Sequence, residues 1–155
     1  MIKNHFTATG IVFNSKSEVL MVKHNKLKVW LPPGGHIDEN ELPCDAALRE
    51  TFEETGVRAR LIDAKPSPIL STPCCKHARE LVQPFVILLE DIEGDGTHNH
   101  IDLVYLALAE SDDLQPQLSE VDDIGWFSQE QFGKLDTFDN VAETIVKAYE
   151  YIQQN

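Results

Sequence analysis

The apolar and polar positions of this chain fall into short alternating runs that predict a series of strands. Residues 5–13 alternate loosely and contain β-branched side chains, and the run EVLMVK at 18–23 predicts a second strand after a turn at 14–16. Further strands are predicted at 58–64, 81–90, 103–110 and 123–128. The polar segment between the runs 81–90 and 103–110 contains Asp95-Gly96, a pair that favours a turn.

A helical period replaces the alternation between Pro43 and Thr55. Wound at about 3.6 residues per turn, the segment brings together one stripe that predicts the buried side of a helix: Cys44, Leu48, Thr51, Phe52 and Thr55. Pro43 suits the first turn of a helix and Gly56 suits its exit. Ala46 and Ala47 lie one turn before Glu50, and we expect these small residues to leave room for a ligand.

Two more helices are predicted near the C-terminus. A short helix is expected at 129–135, and the last helix is expected to begin at about Asn140, which forms a capping box with Glu143. The stripe of the last helix is Val141, Ile145, Ala148 and Ile152. Strands around one helix, with another helix at the end, predict a single α/β (α+β) domain over residues 1–155, built on a mixed sheet between helices.

Composition and charge exclude several classes of function but say less about the fold. A net charge of −13 excludes non-specific binding to long nucleic acids, because such binding requires many phosphate-neutralising Lys and Arg residues. No run approaches the roughly 18 apolar residues of a membrane span and no secretory signal is present, so we expect a cytoplasmic protein without membrane partners. Three cysteines, an odd number, argue against a disulfide framework. Whether the chain is a monomer or a homodimer stays open.

The predicted helix carries a cluster of carboxylates. Glu50, Glu53 and Glu54 stand at i, i+3 and i+4, so they share one face within about 6 Å of one another. Like charges this close require a cation, and hard divalent ions such as Mg²⁺ are natural partners of clustered carboxylate oxygens. Arg49 is spaced to form an i,i+4 ion pair with either Glu53 or Asp45. The alternative is an ordinary amphipathic helix with a solvated acidic face.

The segment from Gly35 to Val57 resembles the signature of the Nudix hydrolase family, G-x5-E-x7-R-E-U-x-E-E-x-G-U, where U is aliphatic. The matching residues are Gly35, Glu41, Arg49, Glu50, Glu53, Glu54, Gly56 and Val57. Thr51 departs from the first aliphatic position, and as a β-branched residue it can still pack. The lead-in WLPPGG and the aromatic pair Trp126-Phe127 before a short helix also look like the family.

The resemblance implies the Nudix fold, a mixed sheet sandwiched between helices, and hydrolysis that depends on Mg²⁺ or Mn²⁺. By resemblance, the metal ligands would be Glu50, Glu53, Glu54 and the carbonyl of Gly35. Arg49 would orient a carboxylate, and Glu41 would be a more distant acid of the cluster. The general base is expected to be Glu53, with Glu54 and Glu120 left open.

The implied substrate is a small nucleotide, a nucleoside diphosphate linked to another group. ADP-ribose or nucleotide sugars and nucleoside triphosphates are equally compatible, and a non-catalytic Nudix-like nucleotide-binding module is the alternative function. Lys28 and Arg79 are candidates to contact substrate phosphates, and Trp30 is a candidate to stack on a base, although core packing is the commoner role of such a residue. We expect the irregular segment 65–79 to flank the site and to govern specificity.

Two other metal patterns occur between the last two long strands. Acidic and polar residues from Asp91 to Asp102 fall at the ligand positions of an EF-hand loop, but strand-like runs flank this segment where an EF-hand needs helices. In an extended segment, His98, His100 and Asp102 share one face. Together with Cys74, Cys75 and His77 elsewhere in the chain, they are residue types that can bind zinc. No ligand spacing matches a recognised zinc module. Neither calcium binding nor zinc binding is therefore predicted.

Overall fold

The computed structural model describes residues 2–64, 78–115 and 121–154. Their helices and six of their strands follow the order that the sequence predicts, and two further short strands, which were not predicted, precede the first helix. The elements are β1 (Lys3–Phe13), β2 (Val19–His24), β3 (Trp30–Leu31), β4 (Gly34–His36), α1 (Pro43–Thr55), β5 (Ala59–Ile62), β6 (Val86–Asp91), β7 (His98–Ala109), β8 (Val121–Phe127), α2 (Gln129–Phe132) and α3 (Asp139–Gln154).

The eight strands form one mixed sheet around a long parallel pair. β1 and β7 run side by side in continuous register, from Lys3 opposite His98 to Phe13 opposite Leu108. β5 and β6 pair antiparallel with β7, whereas β4 and β2 pair antiparallel with β1. β2 in turn pairs with β3 and β8. The central pair therefore joins segments that lie far apart in the chain.

The two faces of the sheet carry different helices. Ala8 of β1 and Tyr105 of β7 pack with Ala46 and Ala47 of α1. Because side chains alternate along a strand, residues of the other parity face the opposite side, where Ile11, Phe13, Val104 and Leu106 pack with α3 residues Ile145, Ala148 and Tyr149. The predicted mixed sheet between helices is confirmed, and it separates an α1 side from an α3 side.

The buried side of α1 differs from the predicted stripe, although the helix begins and ends at the predicted residues. Ala46 and Ala47 are buried against the sheet and leave no room for a ligand, so that expectation was wrong. These small residues let the helix axis approach the sheet closely. Phe52 then falls outside the contact side: it is 43% exposed, and the Arg58 guanidinium lies 4.6 Å above its ring centre.

Other differences concern where elements begin. β7 begins at His98, five residues before the predicted run, because the pairing with β1 continues through polar residues. The helix α3 begins at Asp139, and Asn140 Nδ2 donates to Glu90 rather than forming the predicted cap. A capping box forms instead between Ser128 and Gln131 at the start of α2. Within the described residues, no helix combines the length and apolarity needed to cross a bilayer.

Candidate active site

The site is built where the loop after β4 meets α1. β4 is held against β1, with Gly34 opposite Thr9 and Gly35 opposite Ala8. The helix then begins at Pro43, where a missing N–H costs nothing, and ends at Gly56, whose φ of 74° is a left-handed conformation that glycine adopts readily. The sheet thus fixes the loop on one side, and the helix ends at a glycine of the signature.

The three glutamates of α1 point toward this loop with graded exposure. Glu54 is 9% exposed, and its Oε2 accepts the backbone N–H of Gly34 at 3.2 Å. The side chain of Glu50 is 14% exposed, whereas that of Glu53 is 49% exposed. The acidic face is therefore not a solvated face: two of its carboxylates are packed against the loop, and only Glu53 opens to solvent.

Gly35 permits the closest approach in the site. A Cβ placed on Gly35 would lie 2.5 Å from Glu50 Oε1, which is far inside van der Waals contact. Any side chain here would push the Glu50 carboxylate away from the loop backbone. The glycine of the signature is therefore needed to bring a backbone segment and a carboxylate side by side.

Arg49 connects the loop and the helix through its whole guanidinium. Its Nε and Nη2 donate to the two Glu41 oxygens at 2.8 and 3.0 Å, and Nη2 also donates to the His36 carbonyl at 3.0 Å. Its Nη1 donates to Glu50 at 2.8 Å and to Glu53 at 2.9 Å. The predicted i,i+4 ion pair forms with Glu53. Bidentate contacts of this kind fix orientation as well as charge.

The pairing shifts the pKa values of both partners. The hydrogen bonds to Glu41 are the main reason that the pKa of Arg49 rises above its ordinary value, with Glu50 and Glu53 contributing in the same direction. The hydrogen bond from Arg49 is likewise the main cause that lowers the pKa of the Glu41 carboxyl. Arg49 and Glu41 are therefore both charged at neutral pH.

The donor set fits a hard divalent cation. Glu50 and Glu53 converge on one guanidinium nitrogen, Glu54 is tied to the adjacent loop, and the Gly35 backbone lies beside Glu50. All these groups offer oxygen, the donor that Mg²⁺ and Mn²⁺ prefer. Among the described contacts, one guanidinium is set against four carboxylates, so these contacts alone leave excess negative charge that a metal ion could offset.

The other candidate residues lie apart from these carboxylates or outside the described ranges. Lys28 Nζ forms an ion pair with Asp122 at 2.6 Å. Trp30 packs edge-on against Phe127, with ring centres 4.9 Å apart, so core packing occupies at least one side of the indole. Arg79 is exposed, and Glu120 lies outside the described residues, as does most of the predicted loop 65–79.

Two backbone groups of the site were not predicted from the sequence. The Gly34 N–H holds Glu54, and the His36 carbonyl accepts from Arg49. The adjacent glycines Gly34 and Gly35 were the available signal, because such a pair suggests close backbone approach. A groove of about 690 Å³ between the start of β6 and α3 contains none of the carboxylates, so it is separate from the acidic site.

Comparisons with known proteins place this site in a family. The NUDIX domain model matches residues 3–149. The crystal structure of a NUDIX-family hydrolase from Clostridium perfringens superposes with a TM-score of 0.83 at 31% identity, over 97% of this chain and 99% of that one.

Two curated relatives bear names that describe activities. A probable DHNTP pyrophosphohydrolase of Lactococcus lactis subsp. cremoris is 27% identical over 145 residues, 87% of this chain and 73% of that protein. A putative 8-oxo-dGTP diphosphatase of Bacillus subtilis is 43% identical over 51 residues, 33% of this chain and 34% of that protein, so the chain spans about a third of that relative. The complete acidic signature, the mixed sheet and these matches together show that the chain belongs to the Nudix family of pyrophosphohydrolases, hydrolases that act on phosphoanhydride bonds.

Proposed function

We propose that this protein is a divalent-metal-dependent hydrolase that cleaves the diphosphate linkage of a nucleoside diphosphate joined to another group. The observation that carries the proposal is the convergence of Glu50 and Glu53 on one Arg49 nitrogen, beside Glu54 and the Gly35 backbone. The proposed ligands of Mg²⁺ or Mn²⁺ are Glu50, Glu53, Glu54 and the Gly35 carbonyl. The metal would neutralise substrate phosphate oxygens and lower the pKa of the attacking water.

The protein residues then have distinct proposed roles. Arg49 positions Glu50 and Glu53 through its Nη1 and anchors itself on Glu41. Glu54 is held by the Gly34 N–H and is buried, which suits a fixed ligand. Glu53 is the most exposed of the three glutamates, so it can meet a solvent water and accept its proton. Glu53 is therefore the favoured general base, and Glu54 and Glu120 are the alternatives.

The proposed substrates are small nucleotides. The names of two curated relatives contain 8-oxo-dGTP and DHNTP, so nucleoside triphosphates belong in the first assays beside ADP-ribose and nucleotide sugars. The chain carries a net charge of −13, so metal ions and a few basic side chains must supply the positive charge that phosphates require. Lys28 and Arg79 remain candidates for this role, and Trp30 remains a candidate for base stacking.

The test is a phosphate-release screen over nucleoside triphosphates, ADP-ribose, nucleotide sugars and dinucleoside polyphosphates, with Mg²⁺, with Mn²⁺ and with chelator. Turnover should require the metal, and Glu53→Gln should lower it by at least about 10²-fold, the lower range for losing acid–base catalysis. Glu130→Gln is the matched control, because Glu130 is an exposed glutamate of α2 that forms an ion pair with Lys134. Turnover unaffected by chelator would contradict the proposal. Metal-dependent nucleotide binding without turnover would favour the binding-module alternative.

A further inference from the structure

Four of the six histidines meet at one end of the sheet. In the parallel pair β1–β7, His5 stands opposite His100, and His98 lies two residues before His100 on the same face. His36 of β4 stands opposite Thr7, two residues along β1 from His5. All four rings are in contact, with centres 4.8 to 6.1 Å apart.

This cluster lies on the α3 side of the sheet, across from the glutamates of α1. Along β1, His5 has the parity of Ile11 and Phe13, which pack with α3, and not that of Ala8, which packs with α1. Along β7, His98 and His100 have the parity of Val104 and Leu106, which also pack on the α3 side. The histidine side chains therefore belong to a different surface from the acidic site.

The ring nitrogens converge in a way that hydrogen bonding alone does not explain. His5 Nδ1 lies 3.3 Å from His36 Nε2 and 3.4 Å from His98 Nε2. A single ring nitrogen carries either one proton or one lone pair, so it cannot form a good hydrogen bond with both neighbours. In addition, His100 Nε2 is buried and has no hydrogen-bond partner among the described residues. Aromatic packing explains the ring contacts, but it does not require nitrogens to face one another.

The separations match those around a tetrahedral metal ion. Nitrogen ligands at about 2.0–2.1 Å from zinc are separated from each other by about 3.4 Å in a tetrahedron. The contacts of His5 Nδ1 at 3.3 and 3.4 Å have this length. One ring nitrogen each of His5, His98 and His100 lies within 4.8 Å of the other two. A small inward movement of the rings would bring all three nitrogens to bonding distance from one ion.

The carboxylates around the histidine cluster favour a bound cation. His98 presents Nε2 to His5, while its Nδ1 lies 3.8 Å from Glu93, the place where a carboxylate supports a metal-binding histidine. Glu90 stands opposite His100 in the β6–β7 pair, so another carboxylate shares this face.

We propose that His5, His98 and His100 bind a transition-metal dication of the zinc class, with His36 beside the ion as a potential fourth ligand. Imidazole nitrogen selects Zn²⁺, Co²⁺, Ni²⁺ or Cu²⁺ over Mg²⁺ and Mn²⁺. The bound ion would join the starts of β1 and β7, strands that are remote in sequence. This site is independent of the proposed hydrolysis, because its ligands lie on the other face of the sheet.

The test is zinc binding by untagged protein in excess Mg²⁺, which occupies the carboxylates. Calorimetry should show one Zn²⁺ bound per chain, and Co²⁺ should give the visible absorption of a nitrogen-ligated tetrahedral ion. His98→Gln and His5→Asn should each weaken zinc binding at least about tenfold, because even a supporting residue costs 10- to 100-fold when lost. Both positions are partly or fully exposed, and the melting temperature without metal checks that each variant folds.

His24→Asn is the matched control, since His24 is remote from the cluster and its Nδ1 only accepts backbone N–H groups of Lys26 and Leu27. It should leave zinc affinity unchanged. Glu53→Gln should also retain zinc binding while losing turnover, which separates this proposal from the proposed hydrolysis. No zinc binding by the wild type, wild-type zinc affinity in both histidine variants, or a thiolate-to-cobalt absorption band would each overturn the histidine site.

Discussion

The two faces of the sheet carry polar clusters that are built in opposite ways. On the α1 side, carboxylates of one helix are tied down by Arg49 and by loop backbone groups, so each has a defined partner before any ligand arrives. On the α3 side, histidines from three strands face one another, and His5 Nδ1 is shared by two neighbours. The first cluster is organised by a cation of the protein itself, whereas the second has no such cation among its described contacts.

This difference separates two kinds of metal chemistry in one small protein. The α1 side offers oxygen donors, which suit Mg²⁺ or Mn²⁺ that must exchange with substrate phosphates. The α3 side offers imidazole nitrogen, which suits a more tightly held ion of the zinc class. Because the two sites lie on opposite faces, we expect that each can be perturbed without changing the other.

The largest expected effect comes from Gly35→Ala. The new Cβ would lie 2.5 Å from Glu50 Oε1 and displace that carboxylate from the loop, so turnover should fall by about 10²-fold, the cost of a misplacement of about 1 Å. Gly133→Ala is the control, because a Cβ there meets only ordinary contacts at 3.6 and 3.7 Å. Steady-state kinetics on the best substrate measures both. Full activity in Gly35→Ala would remove Glu50 from the proposed ligand set.

A comparable effect is expected on stability when both cations are supplied. Each ion at about 100 times its dissociation constant should stabilise the folded protein by about 2.7 kcal/mol, and ions on independent sites should add within about 0.5 kcal/mol. Chemical denaturation with Mg²⁺, with Zn²⁺ and with both ions tests this. If zinc gave no further stabilisation in saturating Mg²⁺, the proposal of a second, independent metal site on the α3 side would be contradicted.

A smaller effect is expected from charge reversal at Arg79. If the segment 65–79 governs specificity, Arg79→Glu should raise KM for anionic substrates up to about tenfold while kcat stays nearly constant, the mark of lost uniform binding. Arg60→Glu, at an exposed position of β5, is the matched control. Equal kinetic constants for the wild type and Arg79→Glu on every substrate would assign this segment to a surface remote from the α1 side.

The smallest effect concerns the pH dependence of stability in metal-free protein. Arg49 lowers the pKa of Glu41 in the folded state, so this carboxylate stabilises the fold above the ordinary glutamate range and stops doing so as the pH falls through its lowered value. The stability difference between the wild type and Glu41→Gln should therefore shrink on acidification. Denaturant midpoints at neutral and acidic pH measure it, and a difference that grew on acidification would reverse the assigned sign.

Local patterns predicted the α1 side well because its parts are contiguous. The bounds Pro43 and Thr55 agree with the structure, and the spacing of Glu50, Glu53 and Glu54 on a 3.6-residue period places them on one face without knowledge of the rest of the fold. The resemblance to the family signature added Gly35 and Glu41, and the family is confirmed. The roles of individual site residues remain predictions.

The sequence alone misjudged features that depend on what lies against an element. Which side of α1 is buried depends on how closely the sheet approaches, so Phe52 was assigned to the buried stripe and the contact role of Ala46 and Ala47 was missed. Likewise, β7 extends through polar residues because β1 supplies a pairing partner, and no alternation in His98 to Asp102 signals that partner.

By itself, the sequence determined the three helices and six of the strands, the acidic helix face and the family, since each rests on residues within about two dozen positions of one another. Only the tertiary structure decided that Arg49 binds Glu41, Glu50 and Glu53 together and that Glu54 is buried against Gly34. It also decided that His5 meets His98, 93 positions away, because the register of a parallel strand pair is set by packing across the whole sheet.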